Sequence, residues 1–288
     1  RVKDIKDTRE LAELMVGTAV ELTIEKERVT AGKPVLSLQN VSYRDKKKVK
    51  ILKDISFQVL EGEVLGVCGV DGNGQTELIH RITGIKQATN GTITINGADT
   101  TREKARKIID SGVAHIPEDR QKYGIVQEMS IRENMILMSY FHKALSRFGF
   151  LQSKKIKKFS EETCGEFEVK MQDIDEKIMN LSGGNQQKVV VGRELSRKPK
   201  LLVAVHPDRG LDIGAAKYIQ RKILETRKRG GGVLLVSSEL EELMDLFDRI
   251  MVIFHGGIVG IVNTGETSIK KLGELMMGIK NREEEKGA

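Results

Sequence analysis

The chain has 288 residues, a formal net charge of +7, 39% hydrophobic residues and 31% charged residues. This length allows one large or two small domains with a sizeable core, and the composition is typical of a soluble globular chain. No apolar run approaches the ~18 residues that a membrane-spanning helix needs. Cys68 and Cys164 lie far apart, without the spacing of a metal or redox motif. We expect reduced, structural thiols in the cytoplasm and a membrane role only through a partner.

Two lysine-rich runs, 46–48 and 154–158, carry part of the positive charge. The simplest interpretation of each run is a solvated face. A basic surface can also bind nucleic acid or anionic lipid. Aromatic residues are not interleaved with these lysines, which argues against a surface for single-stranded nucleic acid.

A short sequence near the start of the chain recurs near its end. Residues 11–17 read LAELMVG and residues 272–278 read LGELMMG. Two similar amphipathic helices would explain the match, but we favour a second interpretation because the chain begins without a methionine. On that interpretation residues 1–17 are the tail of a preceding, equivalent domain and 18–33 are a linker, so that the chain is the second half of a duplicated protein.

The hydrophobic pattern predicts an alternation of strands and helices. Strands are predicted over 35–43, 55–59, 64–68, 92–95, 113–116, 201–205, 233–236, 249–254 and 258–262. Helices are predicted from Glu77, over 102–109 and over 213–229, and Gly230-Gly231-Gly232 would end the last one. From Ser130, which with Glu133 has the spacing of a capping box, to about Glu194 the pattern is helical with no strong strand. This alternation favours an α/β fold.

Residues 69–76 read Gly-Val-Asp-Gly-Asn-Gly-Gln-Thr between a predicted strand and a predicted helix. They match the phosphate-loop pattern G-x-x-x-x-G-K-[ST] at every position except the lysine, which is Gln75. The glycines let the backbone wrap a phosphate, the helix N-terminus adds its dipole, and the Thr76 hydroxyl can bind Mg²⁺. In the full pattern the lysine ammonium neutralises charge on the β- and γ-phosphates, and this chain lacks it. We expect this loop to bind nucleotide but to be poorly equipped to cleave it.

Residues 181–188 read Leu-Ser-Gly-Gly-Asn-Gln-Gln-Lys at the start of another predicted helix. A serine and two glycines there leave backbone N–H groups and a hydroxyl free for an anion. Alone, the same pattern is that of an ordinary N-cap. The phosphate-loop-like stretch upstream and Arg209-Gly210-Leu211-Asp212 downstream favour an anion site.

In this order and spacing, the motifs resemble the nucleotide-binding domain of ABC transporters, in particular the C-terminal half of the duplicated ATP-binding subunits of simple-sugar and nucleoside importers. Pro117-Glu118-Asp119-Arg120 resembles the same subgroup. The resemblance implies a P-loop NTPase-like α/β core over 34–281, with a mixed sheet, flanking helices and an antiparallel β part. A helical subdomain, about 125–195, would be inserted in it, and 282–288 would be a charged tail.

The resemblance also implies roles for individual residues. Nucleotide would contact Tyr43, Gly69, Asp71, Gly72, Asn73, Gly74, Gln75, Thr76 and Glu77, with Thr76 also a weak metal ligand. The signature would comprise Leu181, Ser182, Gly183, Gly184, Asn185 and Gln186, the Q-loop position would be Glu118, and the D-loop, which crosses the dimer interface in this family, would contain Asp212. Tyr43 would either stack on adenine or be a half-buried tyrosine at a strand edge.

Four positions depart from the family's catalytic residues. They are Gln75 for the phosphate-loop lysine, Val205 for the aspartate that holds Mg²⁺, His206 for the glutamate that polarises water, and Ser238 for the switch histidine. His206 is able to accept a proton, but an ordinary structural hydrogen bond fits it equally well. With no catalytic residue retained, we expect this site to be nearly or wholly inactive.

The signature is intact, and in the family it caps the γ-phosphate bound to a partner domain. We therefore expect this half to donate its signature to a competent site on the upstream ABC domain of the same chain, or on a second copy of the fragment. Its own site would bind ATP, with Mg²⁺ held weakly. Residues 125–150, with Met129, Met135, Met138 and Phe141, would meet membrane permease subunits, unless these side chains pack in the core.

The resemblance further implies a peripheral location on the cytoplasmic side of the membrane, an indirect extracellular solute-binding protein, and no nucleic acid. Two other classes stay open: a soluble ABC protein acting on ribosomes or nucleic acid, and a dimerisation module without nucleotide. Pull-down with RNA compared with pull-down with a permease would distinguish the first class from a transporter. A measurement of nucleotide binding would test the second class. The sequence does not name the solute, because specificity would reside in the permease and the binding protein.

Overall fold

The computed structural model describes residues 26–237, 239 and 244–279. The repeat at 11–17 and the predicted switch position Ser238 therefore lie outside the described residues. The chain divides into two compact units. Unit 1 contains 26–27, Pro117–Ser196 and Pro207–Glu225, and unit 2 contains Arg28–Ile116, Arg197–His206 and the described residues from Thr226 onward. No helix in these ranges is long and apolar enough to cross a bilayer.

The strands and helices have the following bounds. The strands are β1 (Pro34–Arg44), β2 (Lys50–Leu60), β3 (Val64–Cys68), β4 (Asn90–Ile95), β5 (Ala98–Asp99), β6 (Val113–Ile116), β7 (Ser146–Arg147), β8 (Phe150–Leu151), β9 (Leu201–Val205), β10 (Gly232–Val236), β11 (Arg249–Phe254) and β12 (Gly257–Asn263). The α-helices are α1 (Gln75–Ile82), α2 (Ala105–Asp110), α3 (Ile131–Met135), α4 (Ser153–Glu166), α5 (Gly183–Leu195), α6 (Ile213–Lys228) and α7 (Ile269–Met276).

Unit 2 contains two sheets that confirm the predicted α/β class. The larger sheet has six strands in the order β12-β11-β3-β10-β9-β6, in which only β12 is antiparallel to its neighbour. Every residue of β3, β9 and β10 is buried, as expected for continuous apolar runs at the centre of a parallel sheet. The smaller sheet is antiparallel, in the order β2-β1-β4-β5. Both sheets contribute to one hydrophobic core.

Unit 1 is predominantly helical and is organised around buried polar groups. Arg193 of α5 donates from Nη1 to the carbonyl of Gly124 at 2.8 Å and pairs through Nε with Glu194 at 3.0 Å. The fully buried Asn134 accepts from the backbone N–H of Val126 at 2.8 Å and donates to its carbonyl at 3.0 Å. Because an unpaired buried polar group is costly, these bonds fix the loop before α3. The predicted capping box of Ser130 and Glu133 is present at the start of α3.

The helical pattern predicted from Ser130 to about Glu194 is divided into separate helices by a short hairpin and loops. α3 ends at Met135, β7 and β8 form a hairpin, and α5 begins only at Gly183. At the hairpin tip Phe148 and Gly149 have φ values of 50° and 84°. Short apolar runs do not distinguish a helix from a hairpin, and Gly149 was the local signal for a turn.

Smaller differences concern element ends and one methionine. α2 begins at Ala105 rather than at residue 102, and Gly232 is the first residue of β10 rather than part of a helix end. Met135 is fully buried, whereas Met129 is exposed, so Met135 does not belong to a surface. The other predicted strands lie within the observed ones.

Candidate functional site: a phosphate loop and a signature helix

The phosphate loop of unit 2 connects β3 to α1. Gly72 and Gly74 have φ values of 84° and 109°, in the left-handed region that favours glycine. Gly74 is the N-cap of α1 and provides no side-chain cap. The first backbone N–H groups of α1 therefore have no side-chain acceptor, and this arrangement suits an anion.

Gln75 folds back onto this loop. Its Nε2 donates to the carbonyl of Val70 at 3.2 Å, and the side chain is only 8% exposed. A Cβ built on Gly69 would lie 2.7 Å from the same nitrogen, so the amide lies directly against the loop backbone. A neutral amide held in this way supplies no positive charge to a phosphate group.

Asn73 fixes the shape of the loop from within. Its Nδ2 donates to the carbonyl of Val70 at 2.9 Å, and its Oδ1 accepts from the backbone N–H of His255 at 2.7 Å. Its own carbonyl accepts from the N–H of Gly256 at 2.9 Å. The side chain of Asn73 is thus used to join the loop to the turn between β11 and β12.

The ring of Tyr43 is already covered on one face. The guanidinium carbon of Arg81, on α1, lies 3.3 Å from the ring centroid. Arg81 is 2% exposed, and its Nε and Nη2 have no hydrogen-bond partner in the described structure. Burial lowers the pKa of Arg81, while the neighbouring Tyr43 opposes that shift. A nucleotide base would have only the opposite face of Tyr43 for stacking.

The remaining predicted residues of the loop are more open. Asp71 and Thr76 are exposed, and Glu77 is half-buried in the first turn of α1. Across residues 26–237, 239 and 244–279, no group of three or more His, Cys, Asp or Glu side chains is placed to hold a metal ion. Thr76 therefore stands without a cluster of carboxylates around it.

Val205 and His206 lie at the edge of the sheet where the phosphate loop begins. β9 and β3 both pair in parallel with β10, so their carboxyl ends share that edge. Val205 is buried and offers no ligand atom. His206 has a φ of 43°, and its backbone N–H donates to the carbonyl of Val236 at 2.9 Å. The end of β9 thus places a buried aliphatic side chain and a histidine, and no carboxylate, at this edge of the sheet.

The signature lies in unit 1 at the start of α5. Ser182 is the N-cap, and its Oγ accepts from Nδ2 of Asn185 at 3.0 Å and from the backbone N–H of Asn185 at 3.5 Å. The Oδ1 of Asn185 accepts from the N–H of Lys170 at 2.8 Å. Ser182 is exposed while Leu181 and Gln186 are buried. The Ser182 hydroxyl therefore lies at the surface, next to buried residues that fix its position.

The segment that follows β9 contacts the signature helix α5. Nε2 of Gln187 donates to the carbonyl of Pro207 at 2.7 Å. Asp212, the predicted D-loop residue, caps the start of α6 by accepting from the N–H of Ala215 at 2.8 Å. A Cβ on Gly184 would lie 3.9 Å from Oδ2 of the same aspartate, so unit 1 brings the D-loop position and the signature together.

Two arginines that the sequence analysis did not single out lie beside the signature. Arg209 pairs with Glu118, the predicted Q-loop residue, at 2.5 Å. Nη1 of Arg120 donates to the carbonyl of Arg209 at 3.4 Å, and its Nη2 lies close to Gly183. Both arginines belong to motifs that the sequence does display, 117–120 and 209–212, but their contacts depend on tertiary structure.

An open cleft of about 560 Å³ lies next to the signature within unit 1. Its lining is mostly polar and comprises Lys170, Met171, Gln172, Glu176, Asn180, Leu181, Ser182 and Asn185. Ser182 and Asn185 thus face a space large enough for part of a ligand.

Comparisons with known proteins agree with this arrangement. The family described as "ABC transporter" matches residues 52–207. The chain is 44% identical to "Guanosine import ATP-binding protein NupO" of Bacillus subtilis and 41% identical to "Nucleoside import ATP-binding protein NupA" of Lactococcus lactis subsp. cremoris. These alignments cover 97% and 95% of this chain but 55% and 54% of the relatives, so the chain spans about half of their length.

Solved structures show the same fold. A nucleotide-free ATP-binding cassette from an ABC transporter aligns with a TM-score of 0.67 at 23% identity, over 85% of this chain and 95% of its own. The cassette MJ0796, solved as a dimer bound to ADP and Pi, aligns with a TM-score of 0.68 at 20% identity, over 80% and 98%. The chain therefore belongs to the ABC transporter family and carries its nucleotide-binding domain.

Proposed function

We propose that this chain is the ATP-binding, energy-coupling half of an ABC importer for a nucleoside or a simple sugar. It donates its signature to a competent nucleotide site on a partner ABC domain and retains a degenerate site of its own. The observation that carries this proposal is the contrast between a complete signature at the start of α5 and a phosphate loop whose lysine position is Gln75, bonded to Val70.

The lost charges explain why the chain's own site would be weak. Removing one preorganised charge stabiliser costs ~10²–10³ in rate, and removing a general base costs ~10²–10⁴. Gln75, Val205 and His206 replace such groups, and Ser238 would be a fourth replacement. These losses are not additive, because the groups act as a unit. The site would then bind ATP without appreciable turnover.

The residues of the loop fit a phosphate better than they fit a metal. Gly72, Gly74 and the uncapped start of α1 would hold the phosphates, and the Thr76 hydroxyl would be a weak ligand for Mg²⁺. Bound Mg²⁺ would offset phosphate charge. Asp71, Asn73 and Glu77 would contact the nucleotide through the loop backbone or from the loop surface. Gly69 would leave space for the loop backbone. Tyr43 would stack on the base with its uncovered face.

The signature residues have separate tasks in this proposal. Ser182, Gly183 and Gly184 would present a hydroxyl and backbone N–H groups to the γ-phosphate held by the partner domain. Leu181, Asn185 and Gln186 would hold that turn in shape through their packing and hydrogen bonds. Glu118 and Asp212 would couple nucleotide binding at this site to the position of the neighbouring segments.

The names and lengths of the relatives support a proposal for the domains and partners of this chain. We propose that 34–281 form the nucleotide-binding domain with a helical subdomain at about 125–195, that 1–33 are the tail and linker of an upstream equivalent domain, and that 282–288 are a tail. Permease subunits, an extracellular solute-binding protein and a peripheral position at the cytoplasmic membrane face complete the proposal. The printed names of NupO and NupA support a nucleoside as the solute.

Calorimetric titration of the chain with ATP, with and without Mg²⁺, is the first test. We expect binding without turnover and little gain from Mg²⁺, since Val205 offers no ligand. Robust ATP hydrolysis by the chain alone would refute the degenerate site. No binding up to millimolar ATP would show that the loop is vestigial and leave the signature as the contribution of this half.

Reconstitution with the other ABC half of the importer tests signature donation. Ser182→Ala is expected to lower ATP turnover of the pair by ~10²-fold, because a donor to the transition state is lost. The matched variant Thr76→Ala alters the chain's own loop and is expected to change turnover less than ~threefold. The opposite ranking of the two variants would overturn the proposed asymmetry.

A further inference from the structure

The hairpin β7–β8 of unit 1 exposes three large apolar side chains. Phe148 is 87% exposed, Phe150 is 80% exposed and Leu151 is 54% exposed. We refer to these three residues as the apolar tip. Adjacent exposed apolar side chains of this size are unfavourable in water and mark a surface that binds something.

The backbone at the tip is strained by the residue that it presents. Phe148 has a φ of 50° and Gly149 a φ of 84°, as in a two-residue turn that favours Asn-Gly. A bulky aromatic residue in this left-handed conformation is destabilising. Phe148 thus lowers stability both by its exposure and by its conformation, and the Arg147 guanidinium carbon lies 5.3 Å from the centroid of its ring.

The segment around the tip carries charge of one sign. Between Glu133 and Glu161 there is no acidic residue in the sequence. The same stretch contains six exposed basic residues, namely Lys143, Arg147, Lys154, Lys155, Lys157 and Lys158. Lys157 and Lys158 approach Glu161 and Glu162 of α4 to 4.0 and 3.8 Å, so part of the positive charge is offset.

Two of these lysines stand where a helix disfavours them. Lys154 and Lys155 lie in the first turn of α4, which has no acidic residue there and no side-chain N-cap. Cations at a helix N-terminus oppose the helix dipole and so lower the stability of the helix. Residues that break local rules of stability without a structural gain are expected at functional sites.

We propose that the apolar tip and the lysines of α4 form a docking surface for an anionic lipid membrane. Phenylalanine and leucine side chains of a surface segment can bury at the boundary between headgroups and acyl chains, while lysine and arginine are attracted to anionic headgroups. Stable peripheral binding needs two such signals together, and the hairpin supplies both within a short stretch of chain. Leu151 can enter lipid but cannot stack on a nucleobase, which favours lipid over single-stranded nucleic acid. Phe148 and Phe150 lie within the segment 125–150 that was predicted to meet permease subunits, and we assign the tip of that segment to lipid instead. This surface does not depend on nucleotide.

Sedimentation of the full 288-residue chain with vesicles tests the proposal. We expect binding to phosphatidylcholine vesicles that contain phosphatidylserine, little binding to phosphatidylcholine alone, and weaker binding at high salt. Phe148→Asn gives the turn its preferred residue, so it should keep or raise thermal stability while weakening vesicle binding by ~tenfold. Lys154→Gln with Lys155→Gln should weaken binding by about fivefold for each lysine removed.

Lys46→Gln with Lys47→Gln is the matched control, because it removes the same charge from an exposed turn, between β1 and β2, that contains no aromatic residue. It should leave vesicle binding nearly unchanged. Any of three results would overturn the proposal. The chain does not bind the anionic vesicles, the two double-lysine variants lose vesicle binding equally, or the folded Phe148→Asn variant binds vesicles fully. Loss of permease capture by Phe148→Asn with vesicle binding intact would assign the tip to the permease instead.

Discussion

The guanidinium of Arg120 lies against Gly183, where a Cβ would stand 2.5 Å from its Nη2. Arg120 thus brings a positive charge to the N-terminus of α5, whose dipole is also positive at that end. The guanidinium charge and the positive end of the helix dipole repel each other, which lowers stability. Both attract an anion that approaches Ser182. The bare glycine is what allows the guanidinium to come so close.

Replacing Arg120 separates these two effects. Arg120→Gln should leave the free energy of unfolding unchanged or raise it by up to ~1 kcal/mol, because a cation at a helix N-terminus is removed. The same variant should lower ATP turnover of the reconstituted pair by about two- to tenfold, more at low salt than at high salt. Urea unfolding and ATPase assays check both effects. Lys177→Gln, an exposed change in the same unit, is the control, and equal effects of both variants would contradict the assignment.

Restoring the ammonium of the phosphate loop should strengthen nucleotide binding. Gln75→Lys replaces an amide bonded to Val70 by a charged donor, and charge-assisted hydrogen bonds contribute ~1.5–3 kcal/mol. We expect ATP to bind about tenfold or more tightly in calorimetry, with turnover still negligible because Val205 and His206 are unchanged. Gln75→Met removes the amide without adding charge and should not reproduce the gain. Equal affinity of the lysine and methionine variants would rule out this electrostatic explanation.

The contact between Tyr43 and Arg81 should stabilise the protein in the absence of any nucleotide. Tyr43→Leu removes the ring beneath a buried guanidinium and is expected to lower the free energy of unfolding by about 1–2 kcal/mol. Tyr140→Leu, at an exposed tyrosine of unit 1, should cost much less. Equilibrium urea unfolding compares the two variants. A stability loss that appears only with ATP present would mean that Tyr43 serves the base alone.

Both thiols should be unreactive in the folded protein. Burial raises the pKa of Cys68 and of Cys164 to about 12. An unfolded thiol has a pKa near ~8.5, so the folded state resists ionisation, and its stability is full below that pH and falls as the pH rises towards about 12. Iodoacetamide at mildly alkaline pH should label the urea-unfolded chain and not the native one. Cys68→Ala should flatten the loss of stability above ~pH 8.5, and an unchanged slope would contradict this origin.

Local sequence predicted the sheet and the loop glycines well because both depend on short-range physics. The apolar runs of β3, β9 and β10 are long enough to be buried on both faces, and they were found with nearly their observed bounds. The capping box at Ser130 is likewise a matter of three-residue spacing. The assignment of nucleotide-binding roles to these positions stays a prediction.

What the sequence did not predict depends on contacts between distant residues. The bond between Arg120 and Arg209 joins residues 89 positions apart, and no local pattern encodes it. The hairpin at Phe148 was missed for another reason, since a phenylalanine is a poor turn residue and its neighbours look helical. The folding of Gln75 onto Val70 also required coordinates.

The hydrogen bonds of Asn73 have a consequence for how the phosphate loop responds to its ligand. A loop braced by Val70, His255 and Gly256 keeps its curvature whether or not an anion is present. Nucleotide exchange at this half would then proceed without a disorder-to-order step, and little conformational entropy would be lost on binding. The loop would then act as a rigid site for nucleotide, with the same backbone conformation before and after ATP is added.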